Sequence, residues 1–265
     1  MNTQVWLDAI RQRGVKVQDL RGQLPVNHDR SFGVRSMNGL HGLALHHTAA
    51  RGADLATLEA VARYHAGANH ISPKGCPGLC YTGAVLGDGT LCLAWGLETA
   101  TWSQGGQVPG ANSGYIGLLV MGDFKSAENT DGHDPTPEQW DAVLRIWQAS
   151  AVCWGWGQGS LRGHFQLGKP SCPGDVLRYL VLAVQAGRQP VPPALVPDML
   201  PDNPSTRQMQ QALLDLGYDP GGVDGSWGPC SRTALARFQA DQRLVVDGAW
   251  GPATQDRIEA LLARL

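Results

Sequence analysis

Two short segments carry residues whose types are suited to binding a transition metal. In the first, at residues 43–48, His46 and His47 end an apolar run. In the second, at residues 163–175, His164 and Cys172 lie on one short stretch. Zinc prefers imidazole nitrogen and thiolate sulfur, and a catalytic zinc takes three protein ligands and leaves a fourth position for water. One of the paired histidines, together with His164 and Cys172, would form such a set.

The first segment has the pattern of a strand. Apolar residues alternate with their neighbours from Leu43 to His46, which is typical of a short and largely buried strand. Because successive side chains of a strand point to opposite faces, His46 and His47 cannot both reach one metal ion. The residues alone leave open which of the two is the ligand; the other would pack elsewhere or support the site from outside.

Further motifs extend this pair of segments, and their order and spacing resemble a known family. They are Tyr81 followed by Gly-Asp-Gly-Thr at 87–90, Asn-Ser at 112–113 before Ile-Gly at 116–117, and Pro-Gly at 173–174. The set resembles the zinc N-acetylmuramoyl-L-alanine amidases of phage lysozymes and peptidoglycan recognition proteins, over residues 17–187. The resemblance implies that His46, not His47, is the first ligand, that His164 and Cys172 are the others, and that Tyr81 is catalytic.

Two positions depart from the pattern of that family. Related amidases commonly carry lysine or threonine two residues before the third ligand, where this chain has Pro170, which has no proton to donate. Lys169 is therefore a candidate catalytic residue, because its long and flexible side chain can still reach the site. Leu119 stands where some members have a glutamate base, so Tyr81 and Lys169 would share the proton transfers with the metal-activated water.

The resemblance implies hydrolysis of the amide that joins N-acetylmuramic acid to L-alanine of the peptidoglycan stem peptide. Zinc would lower the pKa of a bound water and polarise the scissile carbonyl. Tyr81 would donate a hydrogen bond to the developing oxyanion or orient the water. Trp102 and Asn112 are weaker candidates, expected to shape the groove and contact the substrate.

Three other functions remain open. A recognition protein of the same fold without catalysis would need neither the full ligand trio nor Tyr81. A thiol peptidase would use Cys153 or Cys172 with His164; such a nucleophile needs an activating base, and its activity would survive a chelator. A structural wall-anchoring protein would depend on its C-terminal region alone. The remaining histidines are interpreted singly as ordinary core or surface residues: His41, His65, His70 and His133.

Composition limits the classes of partner. The 265 residues, 43% hydrophobic and 17% charged, are typical of a globular protein and suggest two domains. A net charge of −2 without a basic block gives no electrostatic footprint for nucleic acid, and no stretch approaches the about 20 apolar residues of a membrane-spanning helix. Residues 1–8 lack the features of a secretory signal. We therefore expect a monomer that is made in the cytosol. In that compartment its six cysteines should be thiols rather than disulfides. Whether Cys76 and Cys80 pair is left open.

Hydrophobic periodicity predicts an α/β catalytic domain at residues 17–187, in which a central mixed β-sheet is flanked by helices. An amphipathic helix within residues 1–16 precedes it. One further helix is predicted to start at the N-cap Asp54, and another at Thr136, running to about Trp154. A β-hairpin at residues 81–95 is expected to present Tyr81 on its first strand.

The C-terminal region is predicted to be a separate small domain. Residues 188–204 are proline-rich and should form a semi-extended linker. Residues 205–265 contain one loop twice, at 223–229 and 246–252, and this repeat resembles the three-helix peptidoglycan-binding domain appended to many cell-wall hydrolases. Trp227 and Trp250 are expected mainly to cover the seam between helices, with direct substrate contact as the alternative role.

Together the two resemblances imply a hydrolase that acts on peptidoglycan. A phage endolysin, released by a holin after synthesis in the host cytoplasm, is the preferred role. A bacterial wall-recycling amidase is the alternative, but recycling would not need a wall-binding domain.

Overall fold

The computed structural model describes residues 1–68, 72–105, 107–124, 135–187 and 204–262. The chain divides into two compact units, Met1–Pro192 and Pro193–Leu265. The predicted linker falls almost wholly outside the described residues, as do His70 and His133. No helix in the described part of the chain is both long enough and apolar enough to cross a membrane.

The first unit combines strands and helices in alternation. Its strands are β1 (Val17–Asp19), β2 (Gly33–Val34), β3 (Gly42–His47), β4 (Gly83–Val85), β5 (Leu91–Leu93), β6 (Thr99–Ala100), β7 (Tyr115–Val120) and β8 (Leu161–Gly163). Its α-helices are α1 (Thr3–Gln12), α2 (Leu55–Ala66), α3 (Ala111–Gly114), α4 (Pro137–Trp154) and α5 (Asp175–Gln185).

Six of these strands form one mixed sheet in the order β1-β5-β4-β7-β3-β8. The β4–β5 hairpin is antiparallel, and the other neighbours are parallel. β2 and β6 form a separate antiparallel pair. The predicted mixed sheet flanked by helices is therefore confirmed.

Alternation along the central strands divides their side chains between two cores. Leu43 and Leu45 of β3 pack in a core that also contains residues of α1, α4 and α5. Leu119 of β7 packs in a second core with Leu58 of α2. Side chains alternate along a strand, so His46 points to the opposite face from Leu45 and His47. That face is the one that packs in the second core, with α2.

Local signals place the helix starts where they were predicted. The Asp54 carboxylate accepts a hydrogen bond from Thr57 N at 2.8 Å and caps α2. Thr136 and Gln139 form a capping box ahead of α4, which begins at Pro137. The hairpin needs one correction: Tyr81 precedes β4 rather than lying on it, because pairing with β5 begins only at Gly83.

Over its described residues 204–262, the second unit forms three helices, as predicted. Its helices are α6 (Thr206–Asp215), α7 (Pro229–Asp241) and α8 (Pro252–Leu262). Leu213, Leu235, Phe238 and Ile258 form the centre of its core. Both repeated loops end in a proline that is the first residue of the next helix, where its missing N–H costs no hydrogen bond.

A buried glutamine on the preceding helix holds each repeated loop. Gln210 donates to Asp224 Oδ1 at 2.9 Å and to the carbonyl of Ser226 at 3.0 Å, and its Oε1 accepts from Gly225 N at 2.8 Å. Gln239 makes the corresponding bonds with Asp247, Ala249 and Gly248. The sequence repeat is thus also a repeat of side-chain contacts.

We expect Gln210→Met and Gln239→Met each to lower the free energy of unfolding of the second unit by about 1–3 kcal/mol, because each removes several hydrogen bonds made by a buried glutamine, and one such bond contributes about 0.5–1.5 kcal/mol. Hydrogen exchange of residues 204–262 in the full chain measures the effect. Gln211→Met is the control, since Gln211 is exposed and donates a hydrogen bond to Asp215 of the same helix. Equal protection in all three variants would contradict the role of these bonds.

Candidate metal centre

The three predicted ligands lie together in the first unit. His46 is on β3, His164 directly follows β8, and Cys172 lies further along the same segment. One ligand atom from each lies within 4.8 Å of the others, and no other such group of three occurs among the described residues. Cys172 Sγ is 3.7 Å from His46 Nδ1, and the two imidazole centroids are 4.5 Å apart.

His47 points away from this trio, as strand alternation requires. Its Nδ1 accepts a hydrogen bond from Phe124 N at 3.3 Å and lies 3.6 Å from Asp123 Oδ1. The backbone therefore places His46, rather than its neighbour, beside His164 and Cys172.

Backbone hydrogen bonds fix the spacing of the second and third ligands. Phe165 N donates to the Cys172 carbonyl at 2.7 Å, and Lys169 N donates to the His164 carbonyl at 3.0 Å. Gly168 has a φ of +101°, a conformation that glycine adopts readily. A Cβ at that position would also lie 2.3 Å from Gln107 Oε1. Glycine therefore suits both the backbone conformation of this loop and its close approach to Gln107.

Burial keeps both imidazoles neutral. It lowers the pKa of His46 well below its ordinary value, and the nearby His164 and His47 lower it further. Burial also lowers the pKa of His164, and the charge of Lys169 acts in the same direction. Neutral imidazole is the form that binds a metal ion, so the two rings are in the ligand state at pH 7.

The three side chains fit a zinc site better than they fit the role of ordinary buried residues. His65, a buried histidine, accepts a hydrogen bond from Cys80 N at 3.1 Å. By contrast, His46 Nδ1 faces Cys172 Sγ at 3.7 Å, and the ring of His164 lies beside that of His46. Two neutral imidazoles and a thiol are also the nitrogen and sulfur ligands that zinc prefers.

A pocket of about 400 Å³ adjoins the trio and is lined by His164 and Cys172. Tyr81 lines it too, with its ring centroid 4.8 Å from that of His46. Burial, reinforced by Cys172, raises the pKa of the Tyr81 hydroxyl above its ordinary value. The phenol therefore stays protonated at neutral pH and can donate a hydrogen bond into the pocket.

Some of the other predicted site residues line the pocket, and others do not. Lys169 is exposed and lines the pocket, as does half-buried Trp102, whose ring lies 5.1 Å from the Arg30 guanidinium. Asn112 is not among the lining residues, and its Oδ1 accepts a hydrogen bond from Gln104 N at 2.8 Å. Leu119 pairs with His46 across the strands and is fully buried. No acidic side chain stands at that position.

The remaining histidine, cysteine and tryptophan predictions are located as follows. His41 is exposed, edge-on to Tyr115. Cys76 and Cys80 are buried thiols that are not joined in a disulfide. In the second unit, the half-buried rings of Trp227 and Trp250 pack edge to face with centroids 6.3 Å apart. Their contact with substrate stays a prediction.

Two buried polar residues linked to this region were not identified from the sequence. Arg35 is buried, and its guanidinium donates to the carbonyls of Leu97, Asn112 and Tyr115. Burial lowers its pKa to about 10, which leaves it charged at neutral pH. Gln104 is buried beside the trio. Neither belongs to a motif, although a lone arginine ahead of the first core strand was a weak signal for Arg35.

Two protein families match parts of the chain. Residues 37–175 match the N-acetylmuramoyl-L-alanine amidase family, and residues 202–258 match a peptidoglycan binding domain family. No curated protein sequence matches the chain.

Three solved structures illustrate the likeness. The Ph2119 endolysin of a Thermus scotoductus bacteriophage is 19% identical, with 66% of this chain and 100% of that chain covered and a TM-score of 0.47. The endolysin N-acetylmuramoyl-L-alanine amidase LysCS from Clostridium intestinale is 14% identical, with 66% and 97% covered and a TM-score of 0.45. Drosophila peptidoglycan recognition protein SD is 19% identical, with 60% and 89% covered and a TM-score of 0.46.

Proposed function

The chain belongs to the N-acetylmuramoyl-L-alanine amidase family, and from this premise we propose that it is a zinc-dependent hydrolase of the amide between N-acetylmuramic acid and L-alanine in peptidoglycan. The observation that carries the proposal is the convergence of His46, His164 and Cys172, with ligand atoms within 4.8 Å of one another, beside a pocket. The peptidoglycan binding domain at residues 202–258 supports the same polymer as substrate.

His46, His164 and Cys172 are the residues that would hold the metal. Bound by three such ligands, zinc supplies a Lewis acid and an activated water at neutral pH. The neutral state of the two imidazoles and the backbone bonds of the ligand loop prepare this chain for that role.

Tyr81 and Lys169 supply the polar chemistry around the scissile amide. The protonated Tyr81 hydroxyl donates a hydrogen bond to the carbonyl oxygen as negative charge develops on it, which stabilises the transition state more than the ground state. Lys169 places a positive charge at the pocket rim. No carboxylate occurs among the described residues that line the pocket, so these two groups carry the proton donation to the leaving amine.

Digestion of purified peptidoglycan, with and without a zinc chelator, tests the reaction. New amino-terminal L-alanine should appear without new reducing sugar ends, should vanish with the chelator and should return when zinc is added back. Product that survives chelation but is blocked by a thiol alkylator would instead indicate a thiol peptidase. Binding to peptidoglycan without any product would indicate a recognition protein.

At the level of the cell, we assign the enzyme to wall lysis, as in a phage endolysin, rather than to recycling. Recycling acts on released fragments and does not need a domain that keeps the enzyme on the polymer, which this chain has at residues 202–258. Expression in the bacterial cytoplasm should be tolerated until the inner membrane is permeabilised, and turbidity should then fall. Lysis without permeabilisation, or faster cleavage of soluble muropeptides than of intact walls, would contradict this assignment.

A further inference from the structure

Gln104 is a buried residue that contacts both histidines of the trio. It is 1% exposed and lines the pocket wall between Ser103 and Gly105. Its main chain lies against the ring of His164, and its side chain lies against the ring of His46. The two contacts come from different parts of one residue.

One buried side-chain atom of His46 and one of Gln104 lack a hydrogen bond. They are His46 Nε2 and Gln104 Oε1, neither of which has a partner among the described residues. His46 Nδ1 faces Cys172 Sγ at 3.7 Å, so Nε2 is the nitrogen on the far side of the ring. The Gln104 amide nitrogen donates to Ser103 Oγ at 3.0 Å, which leaves Oε1 as the available acceptor.

The main chain of Gln104 is held in place by hydrogen bonds that lead to Asn112 and Arg35. Its N–H donates to Asn112 Oδ1 at 2.8 Å, and the Asn112 carbonyl accepts from Arg35 Nη1 at 3.0 Å. The same guanidinium nitrogen donates to the Tyr115 carbonyl at 2.6 Å, at the start of β7. Gln104 is thereby anchored to the central sheet rather than to a free loop.

A histidine that binds a metal usually donates its other ring N–H to a nearby acceptor, which fixes the tautomer and the orientation of the ring. We propose that Gln104 is the positioning residue of the metal centre: its carbonyl accepts from His164, and its Oε1 accepts the Nε2–H of His46, so that Nδ1 of His46 remains for the metal. The inference rests on the proposed zinc site and adds the residue that orients two of its three ligands.

Zinc affinity of the full chain, measured by competition with a chromophoric chelator, tests this role. Gln104→Met removes the side-chain acceptor at similar volume and should weaken zinc binding about 10- to 100-fold. Gln104→Asn keeps an amide but withdraws it from His46, and should lose a similar factor. Gln104→Glu retains an acceptor oxygen at the same reach and should stay within about threefold of the unaltered protein.

Gln139 provides a matched control. It is also 1% exposed, and its amide donates to the Met121 carbonyl at 2.8 Å, away from the trio. Gln139→Met should lower the thermal stability of the metal-free protein while leaving zinc affinity unchanged. A loss of affinity in the Gln104→Met and Gln104→Asn variants, without a larger loss of metal-free stability than in Gln139→Met, supports the proposal.

Two results would overturn the role of Gln104 alone: zinc affinity unchanged in Gln104→Met and Gln104→Asn, or an equal loss in Gln104→Glu, which would indicate packing rather than an acceptor. Absence of zinc binding by the unaltered chain would overturn the metal centre itself. The two failures are therefore distinguishable.

Discussion

Replacement of Cys172 by serine is expected to remove zinc and amidase activity together, with a loss of zinc affinity above the about 100-fold that changes outside the ligand shell can cause. Zinc is bound by the thiolate form of cysteine, whereas a serine hydroxyl stays protonated and is a poor ligand. The fold of the loop should persist, since Cys172 is held by main-chain bonds, donating to the Lys169 carbonyl and accepting from Phe165 N.

Metal analysis of the purified protein and release of amino-terminal L-alanine from peptidoglycan measure the two losses. Cys153→Ser is the matched control, because Cys153 lies on α4, half-buried against the core of the first unit, and does not line the pocket. Full activity in Cys172→Ser would exclude Cys172 as the third ligand. Retained zinc with lost activity would favour Cys172 as a nucleophile, and inactivity of Cys153→Ser would assign that role to Cys153.

Tyr81→Phe should lower kcat about 100- to 1000-fold, the range seen when one donor to a developing oxyanion is removed. Zinc content should not change, because phenylalanine keeps the ring that packs 4.8 Å from His46. KM should change less than kcat, since the hydrogen bond strengthens only as charge develops in the transition state.

Steady-state kinetics on a soluble muropeptide, with zinc content measured in the same samples, separates these effects. Tyr64→Phe is the control, because Tyr64 is a 64% exposed residue of α2 outside the pocket lining. An unchanged kcat in Tyr81→Phe would remove Tyr81 from the mechanism. A parallel loss of zinc would show that its hydroxyl supports the ligands instead.

Several elements could be predicted from the sequence because their causes are local. Asp54 caps α2 by bonding a backbone N–H three residues away, and Thr136 begins α4 in the same manner. The sequence of β7 is a continuous apolar run, the pattern of a central strand covered on both faces, and β7 lies between β4 and β3 in the sheet. Each of these signals acts within a few residues, so the sequence alone contains it.

The metal-binding residues could be predicted only in part from the sequence. The types and spacing of His164 and Cys172 already indicated a metal-binding loop, and strand alternation excluded His46 and His47 as joint ligands. Which of the two lies beside the loop depends on which face of the sheet the loop crosses. That is decided by how the segment after β8 packs on the sheet, since β8 is a neighbour of β3.

The surroundings of the trio were decided only by the tertiary structure. Asn112, predicted to shape the groove and contact substrate, accepts a hydrogen bond from the main chain of Gln104, a bond that the sequence did not indicate. Arg35 joins Asn112 to β7 through carbonyls far away in sequence. Hydrogen bonds between distant segments leave no periodicity and no composition bias, and their partners are specified only when packing brings the segments together.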